Sequence, residues 1–131
     1  MSTDPYNRNF TLEQGLWGSL PSDIYDVRFR TTATSDDGQI LKTSPGAANT
    51  ELSHLVYTRD AVGNAKLYVN NVEWASGIAS GDLSNWDNGY AFALANELTG
   101  NRPWLGTFYL VAIFNRALSQ AEVEQNFSAG P

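Results

Sequence analysis

The sequence predicts an all-β domain of two antiparallel sheets packed as a sandwich, with one short helix near its C-terminal end. Residues 106–114 form a nearly uninterrupted run of apolar, aromatic and β-branched side chains, which is typical of a strand buried on both faces. Residues 25–31 alternate apolar and charged side chains with the period of a strand that is buried on one face. Ser119 and Glu122 have the spacing of a capping box, which predicts the start of the helix.

The length and composition limit the chain to one domain. Its 131 residues suffice for a single core, so we expect one domain over 1–131, with 1–8 as a flexible tail. A net charge of −6 argues against binding nucleic acid through a basic patch. The sequence contains no cysteine and no apolar run long enough to span a membrane, so thiolate chemistry and membrane insertion are excluded.

The N-terminal half predicts two longer strands and one short one. Residues 9–13 alternate Phe10 and Leu12 with polar neighbours, which indicates a half-buried strand. In the strand over 25–31, three apolar side chains point inward and three charged ones point outward, so we expect the outward face to be exposed: Tyr25, Val27 and Phe29 against Asp26, Arg28 and Arg30. Within the polar stretch that follows, residues 39–42 can pair locally.

The second half contains a hairpin. Residues 52–58 predict a strand, and 65–69 pairs with 72–76 across Asn70-Asn71, since two asparagines accept the positive φ of a type I′ turn. A polar loop follows, then a predicted strand over 90–96 and a second loop before 106–114.

Two segments resemble a known family. The sequence FNRALSQAEV at 114–123, and the sequence HLVYTRDAVGNAKLYVNNVEWASG at 54–77, are similar to laminin-G-like, concanavalin A-like jelly-roll domains of bacterial extracellular proteins. The resemblance implies a jelly roll, a binding role and an extracellular or cell-surface location. The strands with which such domains begin are missing, so we expect an N-terminally short domain. An unpaired sheet edge would then favour homo-oligomers through edge strands.

The resemblance also raises the question of catalysis, because some concanavalin A-like folds are glucanases. Such enzymes place two carboxylates on one strand face, and their Glu-x-Asp-x-x-Glu pattern is absent. Glu122 and Glu124 have the spacing but lie in the predicted helix, where they diverge. The single histidine, His54, matches a histidine that opens a strand in the family, which indicates packing. We therefore expect no enzyme.

Calcium is a candidate ligand of the loop at 82–88. This loop carries Asp82, Asn85 and Asp87, and calcium prefers carboxylate and amide oxygens. The alternative is that these side chains form Asx turns, which is the commoner use of Asp and Asn in loops.

Two loops combine an aromatic ring with polar side chains, as carbohydrate sites do. One has Trp86 and Asn88, and the other has Asn96, Glu97, Arg102 and Trp104. The predicted strand over 90–96 would separate the loops by roughly 20 Å. Only one loop would then be the main site, unless 82–88 folds back over a sheet. The alternative is that both tryptophans cap the core.

The sequence thus favours a non-catalytic binding module for a glycan or cell-surface polysaccharide, acting through loop residues and assisted by calcium. The alternative is a structural or adhesive protein–protein interaction domain that self-associates through an open sheet edge.

Overall fold

The computed structural model describes residues 2–4, 6–15 and 18–131. It contains eight strands and one helix in these residues: β1 Ser2–Asp4, β2 Asn7–Arg8, β3 Phe10–Gln14, β4 Tyr25–Phe29, β5 Gln39–Lys42, β6 Leu55–Arg59, β7 Asn64–Val69, β8 Val72–Ile78 and α1 Gln120–Ala129. Antiparallel sheets with the orders β3-β4-β5 and β6-β7-β8 form the two layers, and β1 pairs with β2. The predicted fold class is therefore confirmed.

The N-terminal segment forms a small ladder. Ser2 pairs with Arg8 and Asp4 with Asn7, and the Arg8 backbone N–H donates to the Asp36 carbonyl at 3.0 Å. The expected tail over 1–8 falls partly on residues 1 and 5, which lie outside the described residues.

The core lies between the two sheets because the strands alternate as the sequence predicts. Tyr25 and Val27 of β4 are buried against Leu67 and Val69 of β7. Residues at every second position of a strand share a face, so each strand contributes one apolar row to the interface. Ala47 and Ala48 fill the end of this core from the loop after β5.

The hairpin turn between β7 and β8 has the geometry expected of it. Asn70 and Asn71 have φ values of 50° and 66°, and Val69 pairs with Val72. The turn also holds the start of β6, because the Asn70 backbone N–H donates to the His54 carbonyl at 2.8 Å. The Asn70 Oδ1 in turn accepts from the His54 N–H at 2.8 Å.

The predicted capping box is confirmed. The Ser119 Oγ accepts from the Glu122 N–H at 3.3 Å, and the Glu122 carboxylate accepts from the Ser119 N–H at 2.8 Å. Helix α1 docks on the second sheet, where Leu118 and Val123 are buried with Tyr68. In the part of the chain that the structure describes, no helix has the length and apolarity needed to cross a bilayer.

Two predicted strands, 90–96 and 106–114, do not form. Neither segment pairs with any of the described strands. Residues 105–114 are instead exposed, with Leu105 at 94% and Leu110 at 71% relative accessibility. The physical reason is that apolar, β-branched composition makes a segment suitable for a sheet without supplying a neighbour that completes its hydrogen bonds. The central positions expected for 106–114 are occupied by β4 and β7.

The packing predicts a clear contrast between two apolar positions. Leu67→Ala removes a fully buried side chain between the sheets, so we expect it to lower the free energy of unfolding by about 2–5 kcal/mol. Val62→Ala, at an exposed position in the turn before β7, should change it by less than about 0.5 kcal/mol. Urea unfolding followed by circular dichroism measures both, and equal midpoint shifts would contradict this core.

Candidate functional site

The residues predicted for binding lie on two loops. Loop A comprises residues 82–90 and loop B comprises residues 95–104. Loop A carries Asp82, Asn85, Trp86, Asp87 and Asn88, and loop B carries Asn96, Glu97, Arg102 and Trp104. Both loops lack regular secondary structure, so side-chain hydrogen bonds and ring contacts determine their positions.

Both loops are attached to the same short segment of chain, Arg8-Asn9. The buried Asn9 side chain donates its Nδ2–H to the Asp87 carbonyl at 2.9 Å and accepts the Asp87 N–H at 3.0 Å. Arg8, which is 2% exposed, places its Nη1 at 3.9 Å from Glu97 Oε1. Two neighbouring residues therefore hold both loops: the Asn9 amide hydrogen-bonds loop A, and the Arg8 guanidinium attracts the Glu97 carboxylate of loop B.

Loop A folds back over the apolar face of the first sheet. The half-buried Trp86 ring stacks on Phe10 at 5.9 Å between centroids and lies tilted against Phe29 at 5.4 Å. Its Nε1–H donates to the Arg30 carbonyl at 2.8 Å. Residues 82–88 thus fold back over a sheet, as the sequence prediction allowed. Trp86 therefore caps the sheet with one part of its ring, while Asn88 is exposed beside it.

The candidate calcium ligands of loop A also serve as turn formers. Asp82 Oδ1 accepts the Ser84 N–H at 2.9 Å and its Oγ–H at 2.7 Å, and these hydrogen bonds lower the pKa of Asp82. Asp87 Oδ1 accepts the Gly89 N–H at 2.8 Å. These are Asx turns, the alternative that the sequence left open.

Asn85 differs from the two aspartates. Its Nδ2–H donates to the Thr31 carbonyl at 2.9 Å, while its buried Oδ1 has no hydrogen-bond partner among the described residues. A buried oxygen of this kind fits a hard cation. Asp82 and Asp87 fit a calcium site less well, since the described residues contain no group of three His, Asp or Glu side chains able to hold a metal.

Loop B is closed by its own hydrogen bonds. The Trp104 N–H donates to the Ala95 carbonyl at 2.7 Å, and the Arg102 N–H donates to Asn96 Oδ1 at 2.9 Å. Arg102 Nη1 also bonds Glu97 Oε1 at 3.0 Å. The structure thus brings an amide, a carboxylate and a guanidinium together on one constrained loop, and all three side chains are half-buried.

Trp104 closes the base of loop B. Its ring stacks on Tyr25 at 6.4 Å with an interplanar angle of 13°, and it contacts Phe108 at 5.7 Å. Trp86 packs on Phe29, at the other end of β4, about 13 Å along the strand. The two tryptophans therefore do not form one aromatic platform.

A charged cluster that the sequence did not predict lies on the outer face of β3 and β4. Glu13 pairs directly with Asp26 in the ladder. Arg8 Nη2 lies 2.9 Å from Asp37 Oδ1, and the Arg28 guanidinium pairs with the other oxygen of Asp37. The expectation that this face is exposed is wrong, since Asp26 is 2% exposed and the side chains of Arg28 and Arg30 are 19% and 14% exposed. The alternation along 25–31 correctly predicted which side chains share this face. The contribution of Arg8 was not predicted, because residues 1–8 were expected to form a tail.

The pKa of Asp26 lies far above its ordinary value. Burial and, to a smaller extent, the neighbouring Glu13 carboxyl together raise the pKa of Asp26 from 3.8 to about 7, while Arg28 and Arg8 oppose the shift. A buried carboxyl beside a second carboxyl is harder to ionise than one in water, so Asp26 holds its proton to a higher pH.

A comparison with known proteins gives a family. The family model described as the concanavalin A-like lectin/glucanases superfamily matches residues 3–124, which include both loops and the charged cluster. Neither a curated protein nor a solved structure matches the chain.

The carboxyl pair predicts how stability depends on pH. The folded chain holds a proton on Asp26 that the unfolded chain, with a pKa near 3.8, has released, so stability should fall as the pH rises from about 4 to 7. Asp26→Asn keeps a donor toward Glu13 without a titrating charge. We expect it to flatten this decline and to be more stable than the parent above pH 7, by on the order of a few kcal/mol.

Urea unfolding at a series of pH values measures the effect. Glu124→Gln, which removes an exposed carboxyl of α1, is the matched control and should leave the decline unchanged. An Asp26→Asn variant with the same pH dependence as the parent would contradict the raised pKa of Asp26.

Proposed function

Because the chain belongs to the concanavalin A-like lectin/glucanase superfamily, we propose that it is a non-catalytic module that binds carbohydrate through loop B. Domains of the laminin G type are generally binding modules, although the superfamily includes glycosidases. The observation that carries the proposal is the closed loop that holds Asn96, Glu97 and Arg102 together. The ligand is a glycan or polysaccharide outside the cell or at the bacterial cell surface.

The chemistry of loop B suits sugar hydroxyls. A hydroxyl both donates and accepts, so a carboxylate beside a guanidinium can bind it from both sides. The hydrogen bonds from Arg102 to Glu97 and Asn96 hold these groups before a ligand arrives, which lowers the entropic cost of binding. Trp104 positions the loop, and the exposed parts of Trp86 and Asn88 provide contacts on loop A.

The carboxyl pair supports a non-catalytic role. Glycosidases hold their two carboxyls about 5 to 9.5 Å apart so that the sugar or a water molecule fits between them. Glu13 and Asp26 instead face each other directly across the β3–β4 ladder, and Asp26 is only 2% exposed, so a sugar cannot enter between them. Arg28 also places its Nε at 3.9 Å from Glu13, so this pair is part of an ion network.

Calcium is proposed as an assisting ion of loop A, held by Asp82, Asn85 and Asp87. The support is the buried Asn85 Oδ1, which has no hydrogen-bond partner among the described residues. A bound calcium ion would supply a positive centre for sugar hydroxyls. The aspartates would contribute the carboxylate charge, and Asn9 and Thr31 hold the loop that carries them.

A second candidate function is protein–protein adhesion through self-association at an open sheet edge. The exposed apolar residues 105–114 favour self-association, because large apolar surfaces on a folded domain mark interaction sites, although this segment pairs with none of the described strands and is not itself a sheet edge.

Mutation of loop B tests carbohydrate binding. On a glycan array, and then by calorimetry with the best hit, we expect Glu97→Gln and Arg102→Ala each to weaken binding at least tenfold, about 1.4 kcal/mol. Lys66→Ala breaks the exposed 2.9 Å ion pair with Glu73 on the second sheet and is the matched control. Unchanged affinity in folded loop B variants would sink the proposal.

Calcium binding predicts a thermal shift. A site that binds only the folded chain stabilises it by about 2.7 kcal/mol at a calcium concentration 100 times the dissociation constant. We expect millimolar calcium to raise the melting temperature of the parent but not that of Asn85→Ala. Glu51→Gln, which removes an exposed carboxylate outside loop A, is the control and should respond like the parent. No shift in the parent, or an equal shift in Asn85→Ala, would rule out this site.

A further inference from the structure

The apolar run that follows loop B is the most exposed hydrophobic segment of the described chain. Within residues 105–114, Leu105, Tyr109, Leu110 and Ile113 are 94%, 68%, 71% and 68% exposed. The segment is rich in aromatic and β-branched residues and contains no proline, which suits it to a strand. It pairs with none of the described strands.

An unpaired segment of this composition attracts another strand. Its backbone N–H and C=O groups offer a template for main-chain hydrogen bonds, and its side chains gain by leaving water. Natural domains protect such segments with charged residues or proline. Residues 105–114 contain neither, so the segment is equipped for pairing.

The charge distribution allows a second copy of this chain to approach this segment, and the sequence of the segment favours that partner. The chain carries a net charge of −6, so two copies repel over most of their surfaces. Residues 105–115 contain no charged side chain. The nearest charges on either side are Arg102 and Arg116, which are neutralised by Glu97 and Glu122 respectively. This segment can therefore meet its own copy without repulsion.

The segment is also complementary to itself. We propose that two copies pair residues 105–115 as antiparallel strands about a two-fold axis at Leu110. The facing residues are Leu105 with Asn115, Gly106 with Phe114, Thr107 with Ile113, Phe108 with Ala112, and Tyr109 with Val111.

Most of these pairs combine a large side chain with a small or β-branched one. Phe114 covers the glycine at 106, which is a known way of stabilising glycine in a sheet. Tyr109 opposite Val111 is a favourable aromatic and β-branched pair. Arg116 faces Trp104 and not another cation, so the ends of the ribbon are compatible too. Parallel pairing, in contrast, would place each glycine and alanine beside its own copy.

This inference makes the second candidate function specific, and it does not depend on carbohydrate binding. Leu110 would lie directly opposite its copy, with Cα atoms about 4.5–5.5 Å apart, within the range that a disulfide spans. The natural sequence contains no cysteine, so a single introduced one reports on this contact alone.

The experiment combines sedimentation velocity with cross-linking. We expect the parent to show a concentration-dependent dimer, and L110C to form a disulfide-linked dimer under mild oxidation. V62C, equally accessible at 77% exposure but far from the segment in sequence, is the control and should stay mostly monomeric. Val111→Pro removes a backbone N–H from the middle of the ladder and should lower the dimer fraction at least tenfold.

Two results would overturn the proposal. One is a parent that remains monomeric at every concentration, and the other is V62C cross-linking as readily as L110C. Glycan binding by Val111→Pro, measured in parallel, separates the two functions. Lost dimer with retained binding supports both, while lost binding by a monomeric, folded variant would show that loop B depends on the dimer.

Discussion

Strand β4 has to bury both of its faces, and the other parts of the molecule are arranged to meet that constraint. Its inner face carries Tyr25, Val27 and Phe29 into the interface between the sheets. Its outer face carries Asp26, a carboxyl that loses water on folding and therefore needs neighbouring polar groups. A central strand with one apolar and one ionic face requires two different coverings.

The inner covering is aromatic and comes from the two loops. Trp86 of loop A packs on Phe29, and Trp104 of loop B packs on Tyr25, so each end of β4 anchors one loop. The outer covering is ionic and comes from Arg8, which bonds Asp37 and approaches Glu97. Removing one partner of a buried ion pair costs about 3–5 kcal/mol. Loop B is therefore held from both sides of the sheet, by Trp104 on Tyr25 and by Arg8 near Glu97.

Sequence reasoning succeeded where one short stretch determines its own structure. The capping box of Ser119 and Glu122 and the turn at Asn70-Asn71 involve neighbours in sequence, and the alternation from Tyr25 to Phe29 is intrinsic to a strand. The strands at 39–42, 52–58, 65–69 and 72–76 were located to within a few residues for the same reason.

It failed where the outcome depends on a distant partner. The reciprocal hydrogen bonds of Asn9 with Asp87 join residues 78 positions apart, and nothing local to either marks them. The run 106–114 has the composition of a central strand, but a strand also needs a neighbour to complete its hydrogen bonds. The site could be predicted as residue types on loops. Its connection through Arg8 could not, because a polar N-terminal stretch gives no sign of burial.

The position of the exposed segment directly after loop B links the two functional proposals physically. Leu105, the first residue after loop B, lies five residues before Leu110, so an extended antiparallel ribbon centred there would hold the ends of the two copies of loop B about 33 Å apart. A polysaccharide is a repeating ligand that can reach both sites at once. Its second contact would then be made at a high effective concentration, and the avidity could exceed the affinity of a single loop by about 10²–10⁴. A short oligosaccharide could not span the two loops. Weak recognition by one small loop would therefore suffice for a module that binds long chains as a dimer.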